Sequence, residues 1–193
     1  MRQRSLWIIA ILALALGGCT LPGLGNVGMP DDGQPIPVTD QAAASFEQKA
    51  AEAAQTAQST GSSSITVTQE EITSYVALRL EEAAAQAGSP VAMLLRQPQI
   101  YFKEDGTIIV RGQLEFEGSA QPLRVVARPS VANQQLQLDI VEGRIGPIPV
   151  PGAILDQVEG LLATAILQAQ NYAELQEVRV EAGTLTLSGA RVQ

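Results

Sequence analysis

The sequence predicts an α+β domain, with an antiparallel sheet that carries a long amphipathic helix on one face and a second amphipathic helix nearer the N-terminus. Three observations support this. Between residues 99 and 140, apolar and polar residues alternate in three successive runs, the period of half-buried strands. Ala153 to Gln168 repeats at the helical period instead. At 100° per residue Ile154, Leu155, Val158, Leu161, Leu162, Ala165 and Ile166 share a stripe about 140° wide, with Asp156, Gly160, Ala163 and Leu167 opposite. Just before it, Gly146-Pro-Ile-Pro-Val-Pro-Gly152 sets a proline at every second position. The prolines remove backbone donors and hold the approach extended, so this helix can begin only after Pro151.

Residues 1–18 stand apart from the domain. Arg2 and Arg4 make a basic start, Leu6 to Leu16 is an unbroken apolar run, and Leu16-Gly-Gly-Cys19 follows. This is the pattern of a bacterial lipoprotein signal peptide, cleaved before a cysteine whose thiol takes a diacylglycerol. Two small residues let the backbone enter a tight protease site, and eleven apolar residues fall short of a span of ~20. The reading places the protein at the cell membrane, lipid-anchored through Cys19 on the extracytoplasmic face. Cleavage changes the charge balance from 12 Lys+Arg against 20 Asp+Glu to 10 against 20. An acidic surface is repelled by nucleic acid and by anionic headgroups, so no nucleic-acid partner is expected and the lipid must hold the chain to the membrane.

Residues 19–38, rich in Gly and Pro, read as a flexible tether. Within it Asp31-Asp32-Gly33 reads as a solvated turn, because the further ligands of a calcium loop are missing. Residues 39–64 read as a weak Ala-rich helix over Gln41 to Gln58, capped by Thr39 or Asp40, and a linker. Phe46 is its only large apolar residue, which predicts peripheral packing. The single α+β domain is expected over residues 65–193.

That domain opens on the strand Ile65-Thr-Val67. Thr68 and Glu71 have the spacing of a capping box, launching a helix to about Ala87 whose apolar face holds Ile72, Tyr75, Val76, Leu80, Ala83, Ala84 and Ala87. Arg79 sits inside that face, either as a stem with its head at the rim or as a cation aimed at a lipid phosphate or carboxylate. Gln99 to Phe102 starts the sheet, and Lys103-Glu-Asp-Gly106 is a hairpin turn. Ile108, Val110, Gly112, Leu114 and Phe116 then face one way, with Arg111, Gln113, Glu115 and Glu117 the other. Leu123, Val125 and Ala127 alternate with Arg124, Val126 and Arg128, and Leu136, Leu138 and Ile140 follow a turn at Ala132 to Gln135. Val178, Val180, Leu185 and Leu187 make a closing hairpin with Thr184, Thr186 and Ser188 outward.

The chemistry-bearing residues are sparse. There is no histidine, and Cys19 is the only cysteine, so the usual general base and the usual metal ligands are missing. No Gly-x-Ser-x-Gly and no glycine-rich phosphate loop occurs. Asp139 with Glu142, or Asp156 with Glu159, are carboxylate pairs that a strand and a helix would ordinarily leave on the surface. No enzyme, cofactor or metal is expected. The two apolar stripes either close on the sheet as an ordinary core or leave a slot for acyl chains.

Four segments in order, Ile65 to Ile72 opening a helix, Gln99 to Val110 with its hairpin, Gly146 to Gly152 before the long helix, and Val178 to Leu187 at the end, resemble the YpmS-like and LmeA-like bacterial cell-envelope proteins. That resemblance extends to the tubular lipid-binding superfamily, in which a strongly twisted antiparallel sheet wraps a long helix and leaves an apolar groove. It implies binding of a lipid or lipid-linked precursor without catalysis. Ile154, Leu155, Val158, Leu161 and Leu162 are the candidate groove lining, with Arg79 as a further candidate. The lipobox departs from the many relatives that carry a transmembrane anchor. The other open reading is a scaffolding lipoprotein with a dry core, docking an unknown envelope protein through Thr184 to Ser188 or the Gln41 to Gln58 helix.

Overall fold

The computed structural model describes residues 31–85, 95–116, 119–152, 155–156, 159–160 and 173–191. In chain order they form α1 (Asp40–Thr60), β1 (Ser62–Thr68), α2 (Gln69–Ala85), β2 (Leu95–Phe102), β3 (Ile108–Phe116), β4 (Ser119–Ala132), β5 (Gln135–Ile145), β6 (Ile148–Pro149), β7 (Ala173–Glu181) and β8 (Thr184–Arg191). The fold is α+β with antiparallel pairing throughout the described strands.

Helix ends follow their caps. Thr39 Oγ1 accepts from the Ala42 N–H at 3.2 Å, and Gly61, at φ 83°, closes α1 with its N–H on the Ala57 carbonyl. The capping box of α2 is formed as its spacing predicts. The Thr68 N–H donates to Glu71 Oε2 at 2.9 Å, and the Glu71 N–H to Thr68 Oγ1 at 3.2 Å. Glu71 also takes hydrogen bonds from Ser45 and Lys49 of α1, at 2.6 and 2.9 Å, so one carboxylate joins the two helices.

Burial works to raise the Glu71 pKa, but hydrogen bonds from Ser45, Lys49 and Thr68, with the Lys49 charge, outweigh it and hold the carboxyl below its ordinary 4.5. A depressed folded pKa means the unfolded chain binds more protons as pH falls. The contribution is therefore full above about 4.5 and is lost as pH drops through the lower folded value. Glu71→Gln is expected to lower stability at pH 7 by about 1 kcal/mol, Lys49 being partly exposed. Urea titrations from pH 7 down to pH 3 should show a shallower acid loss than in the wild type; parallel curves would remove Glu71 from the account.

The sheet is divided, where a single one was expected. β1, β8 and β7 make a three-stranded sheet in that order, and β2 to β6 a five-stranded meander. Alternation tells which side chains share a face and not which strand lies alongside, so nothing in the pattern announces that β1 pairs with β8. The meander itself is as predicted. Gly106 turns at φ 82°, and Asn133 and Gln134 turn β4 into β5 at φ 53° and 64°, the backbone of a tight hairpin. The two sheets meet through the Gly183 N–H on the Phe102 carbonyl and the Leu175 N–H on the Gln134 carbonyl.

One core lies between both sheets and both helices, with Val67, Ile72, Ile100, Ile108, Val125 and Leu185 among its most buried side chains. It includes Ala43, Phe46 and Ala53 of α1. The expectation of a peripheral helix is thus corrected. Phe46 is 2 % exposed and stacks tilted on Tyr75 with centroids 4.6 Å apart, while alanines let the α1 backbone come close enough to bury the rest of its face.

The tether also needs correction from residue 31 onward. Ile36 is buried with Tyr101, Ile109 and Val126 on the outer face of the five-stranded sheet, the face expected to be wet. Gln99 holds it there, accepting from the Ile36 N–H at 2.6 Å and donating to the Ile36 carbonyl at 3.1 Å. Residues 31–38 are a strap across that face, and Asp32 within it is 5 % exposed rather than a solvated turn. The edge strand β2 is sealed on another side by Thr73 of α2, whose hydroxyl accepts from the Ile100 N–H at 3.0 Å and donates to its carbonyl.

Gly152, Leu155, Asp156, Glu159 and Gly160 are helical, and the Leu155 N–H reaches the Pro151 carbonyl at 3.2 Å, in line with a helix that starts after Pro151. Among the described residues no helix is long and apolar enough to cross a membrane.

Candidate cleft and arginine row

Apolar residues of three elements and the strap enclose a cleft of about 520 Å³. Ala77, Leu80 and Ala84 come from α2, Leu95 and Pro98 from β2, Pro122 from β4, and Pro35 and Val38 from the strap. Helical spacing puts the three α2 residues on one face. Val38 is 43 % exposed, so its apolar surface is left open to the cleft mouth. β2 makes room through a bulge between Arg96 and Gln99, where Gln97 takes φ 50°. Gly112 faces this bulge from β3, and a Cβ there would lie 2.6 Å from Leu95 Cδ1 and 2.9 Å from the Arg96 carbonyl oxygen. Only glycine lets β2 fold over β3 at this point.

The polar lining of the cleft comprises Glu81, Arg96, Gln97, Gln99, Arg111 and Gln113, and two of these, Gln99 and Arg111, belong to a row of side chains across the outer face of the meander. Gln99, Arg111, Arg124 and Arg144 are successive cross-strand partners on β2, β3, β4 and β5. Like charges in direct register repel, and two carboxylates are set between them. Asp32 accepts from Arg124 Nε at 2.8 Å and Nη2 at 2.9 Å, a two-point clasp. Glu142 accepts from Arg124 Nη1 and from Arg144 Nε, both at 3.0 Å. The Asp32 hydrogen bonds raise the Arg124 pKa against its burial, so the buried guanidinium stays charged.

Arg111 ends the row differently. Its side chain is 14 % exposed, and its Nε stands 3.8 Å from Asp32 Oδ2, beyond hydrogen-bond range. Arg111 lines the cleft and also a second hollow of about 510 Å³ beneath the strap, whose other walls include Asp31, Gln99 and Tyr101. The Tyr101 hydroxyl donates to the Gln34 carbonyl at 3.3 Å. Burial raises its pKa above the ordinary 10, the Arg111 charge opposing and Asp32 and Asp31 adding to the rise, so the phenol keeps its proton at neutral pH.

No protein-family model matches the chain, and a search of curated proteins finds no significant match.

The candidates named from sequence fall in different places. Leu155 is half-buried and packs on the core, close enough to β5 that a Cβ on Gly143 would meet its Cδ2 at 2.7 Å. Ile154, Val158, Leu161, Leu162 and Cys19 lie outside the described residues. Arg79 lies on α2, over the Tyr75 ring at 5.2 Å, and bonds Glu47 and Glu82 at 2.7 Å each, so its guanidinium meets carboxylates of this chain. Of the carboxylate pairs, Glu142 is held in the arginine row, while Asp139 and Asp156 are exposed. The sequence reading missed Gln99, Arg111 and the clasp at Asp32. Arg111 and Arg124 were legible as residues on one strand face, but their register with Arg144 was not.

Proposed function

We propose that this chain is a lipid-anchored, non-catalytic protein of the bacterial cell envelope whose domain binds a lipid or a similar apolar ligand in the cleft between α2, the β2 bulge and the strap. The observation that carries this reading is the cleft itself: its volume lies within the range of about 300–1,000 Å³ typical of small-ligand sites, and eight of its lining residues are apolar or proline. The resemblance to envelope lipid-binding families and the lipobox at Cys19 support it from the sequence side. The groove then lies along α2, and Leu155 serves the packing of β5.

Native mass spectrometry of the full-length chain after incubation with envelope lipids tests the reading. A bound mass of several hundred daltons, released on denaturation, is expected; a clean apo mass at all lipid concentrations would refute it. Val38→Asp is expected to weaken binding of a neutral amphiphile about tenfold, because the ligand would then bury an unpaired charge. Its melting temperature should stay near that of the wild type, Val38 being exposed.

A further inference from the structure

The geometry points to an anion-binding subsite at Arg111, where the cleft meets the hollow under the strap, and we propose that it takes the phosphate or carboxylate of an amphiphilic ligand whose apolar part lies in the cleft. This rests on the reading of the cleft as an apolar-ligand site. The row holds three guanidinium groups, Arg111, Arg124 and Arg144, against two interleaved carboxylates, Asp32 and Glu142. Three guanidinium groups against two carboxylates leave the row one positive charge in excess, and Arg111 is the member held least closely: it meets Asp32 only as an ion pair at 3.8 Å, while both Asp32 oxygens take hydrogen bonds from Arg124. In a chain with an excess of acidic residues, a mostly buried cation without a hydrogen-bonded carboxylate is exceptional.

Its surroundings suit an acceptor rather than a second cation. Among the described residues no hydrogen bond ties down the Arg111 guanidinium, which leaves a planar fork of donors for a bidentate oxyanion. Asp31, the acid that borders the hollow, is exposed and accepts from the Gly33 N–H at 3.0 Å. Gln99 is anchored on the Ile36 backbone and fixes one wall. Arg111 and Gln99 border both cavities, so a headgroup held there has its tail directed along the apolar residues of α2.

Isothermal titration of the full-length chain with dodecyl phosphate, dodecyl maltoside and inorganic phosphate, each below any micelle concentration, tests this. Wild-type chain is expected to bind dodecyl phosphate at least about tenfold more tightly than dodecyl maltoside, as a charge-assisted pair requires. Arg111→Gln should abolish that preference, with a much larger loss for dodecyl phosphate than for dodecyl maltoside, and Arg111→Lys should keep part of it. Equal wild-type affinities, or a preference untouched in Arg111→Gln, would overturn the subsite and leave the apolar cleft standing. Binding of inorganic phosphate alone, lost in Arg111→Gln, would keep the anion site and overturn the lipid reading. No binding of any probe would overturn both. The wild-type comparison needs no variant, and Arg111→Lys covers the case in which Arg111→Gln fails to fold.

Discussion

Replacing Asp32 by alanine is expected to destabilise the chain by about 3–5 kcal/mol, because it strips a two-point partner from a guanidinium that stays charged and buried. Glu142 still meets one edge of Arg124, which sets the lower end of that range. The loss should be local in its first effect. Hydrogen exchange at the Ile36 amide, bonded to Gln99, is expected to accelerate before the amides of β3 and β4 do. Replacing both partners, Asp32→Ala with Arg124→Met, should recover much of the loss, since no isolated charge is then left in the interior. Urea denaturation of the three variants decides the matter: an Asp32→Ala cost below about 1 kcal/mol would mean the strap is an ornament on the sheet.

Phe46→Ala is expected to cost about 3–5 kcal/mol as well. Its ring is enclosed between α1 and α2 and is in contact with Tyr75. The alanines around it leave few large side chains able to move into the space, so a cavity would persist. Chemical denaturation that gives a loss under about 1 kcal/mol would restore the view of α1 as peripheral. The full value would make residues 40–60 a necessary part of the fold and would forbid starting a soluble fragment at residue 65.

What the sequence made legible was local. Thr68 and Glu71 name each other at a distance of three residues, Lys103 to Gly106 spell their own turn, and Pro151 fixes where a helix can begin. Alternation along β3 and β4 also picked out which side chains enter the core. The remainder depended on separations that no local pattern encodes. Asp32 meets Arg124 across 92 positions, and Ile36 meets Gln99 across 63. A Gly/Pro-rich composition argues for a tether only on average, and one isoleucine with one buried acid is enough to dock such a segment when the opposing face supplies an apolar patch and a cation. Phe46 was undervalued for a similar reason: a single ring among alanines gives a weak stripe, yet small neighbours allow the closest helix approach. The cleft escaped notice because it needs the bulge at Gln97 and the absent side chain of Gly112, neither of which has a periodic signature.

The strap sets a distance. Asp32 lies thirteen residues after Cys19, so if Cys19 carries the proposed lipid, the clasp on Arg124 could stand no more than roughly 45 Å from the bilayer surface at full extension. Were the chain loose as far as Val38, the limit would grow by roughly 20 Å. Under that proposal the clasp would work as a knot in a mooring line, shortening the reach of the domain and keeping Arg111, beside the knot, near the tethered end of the chain.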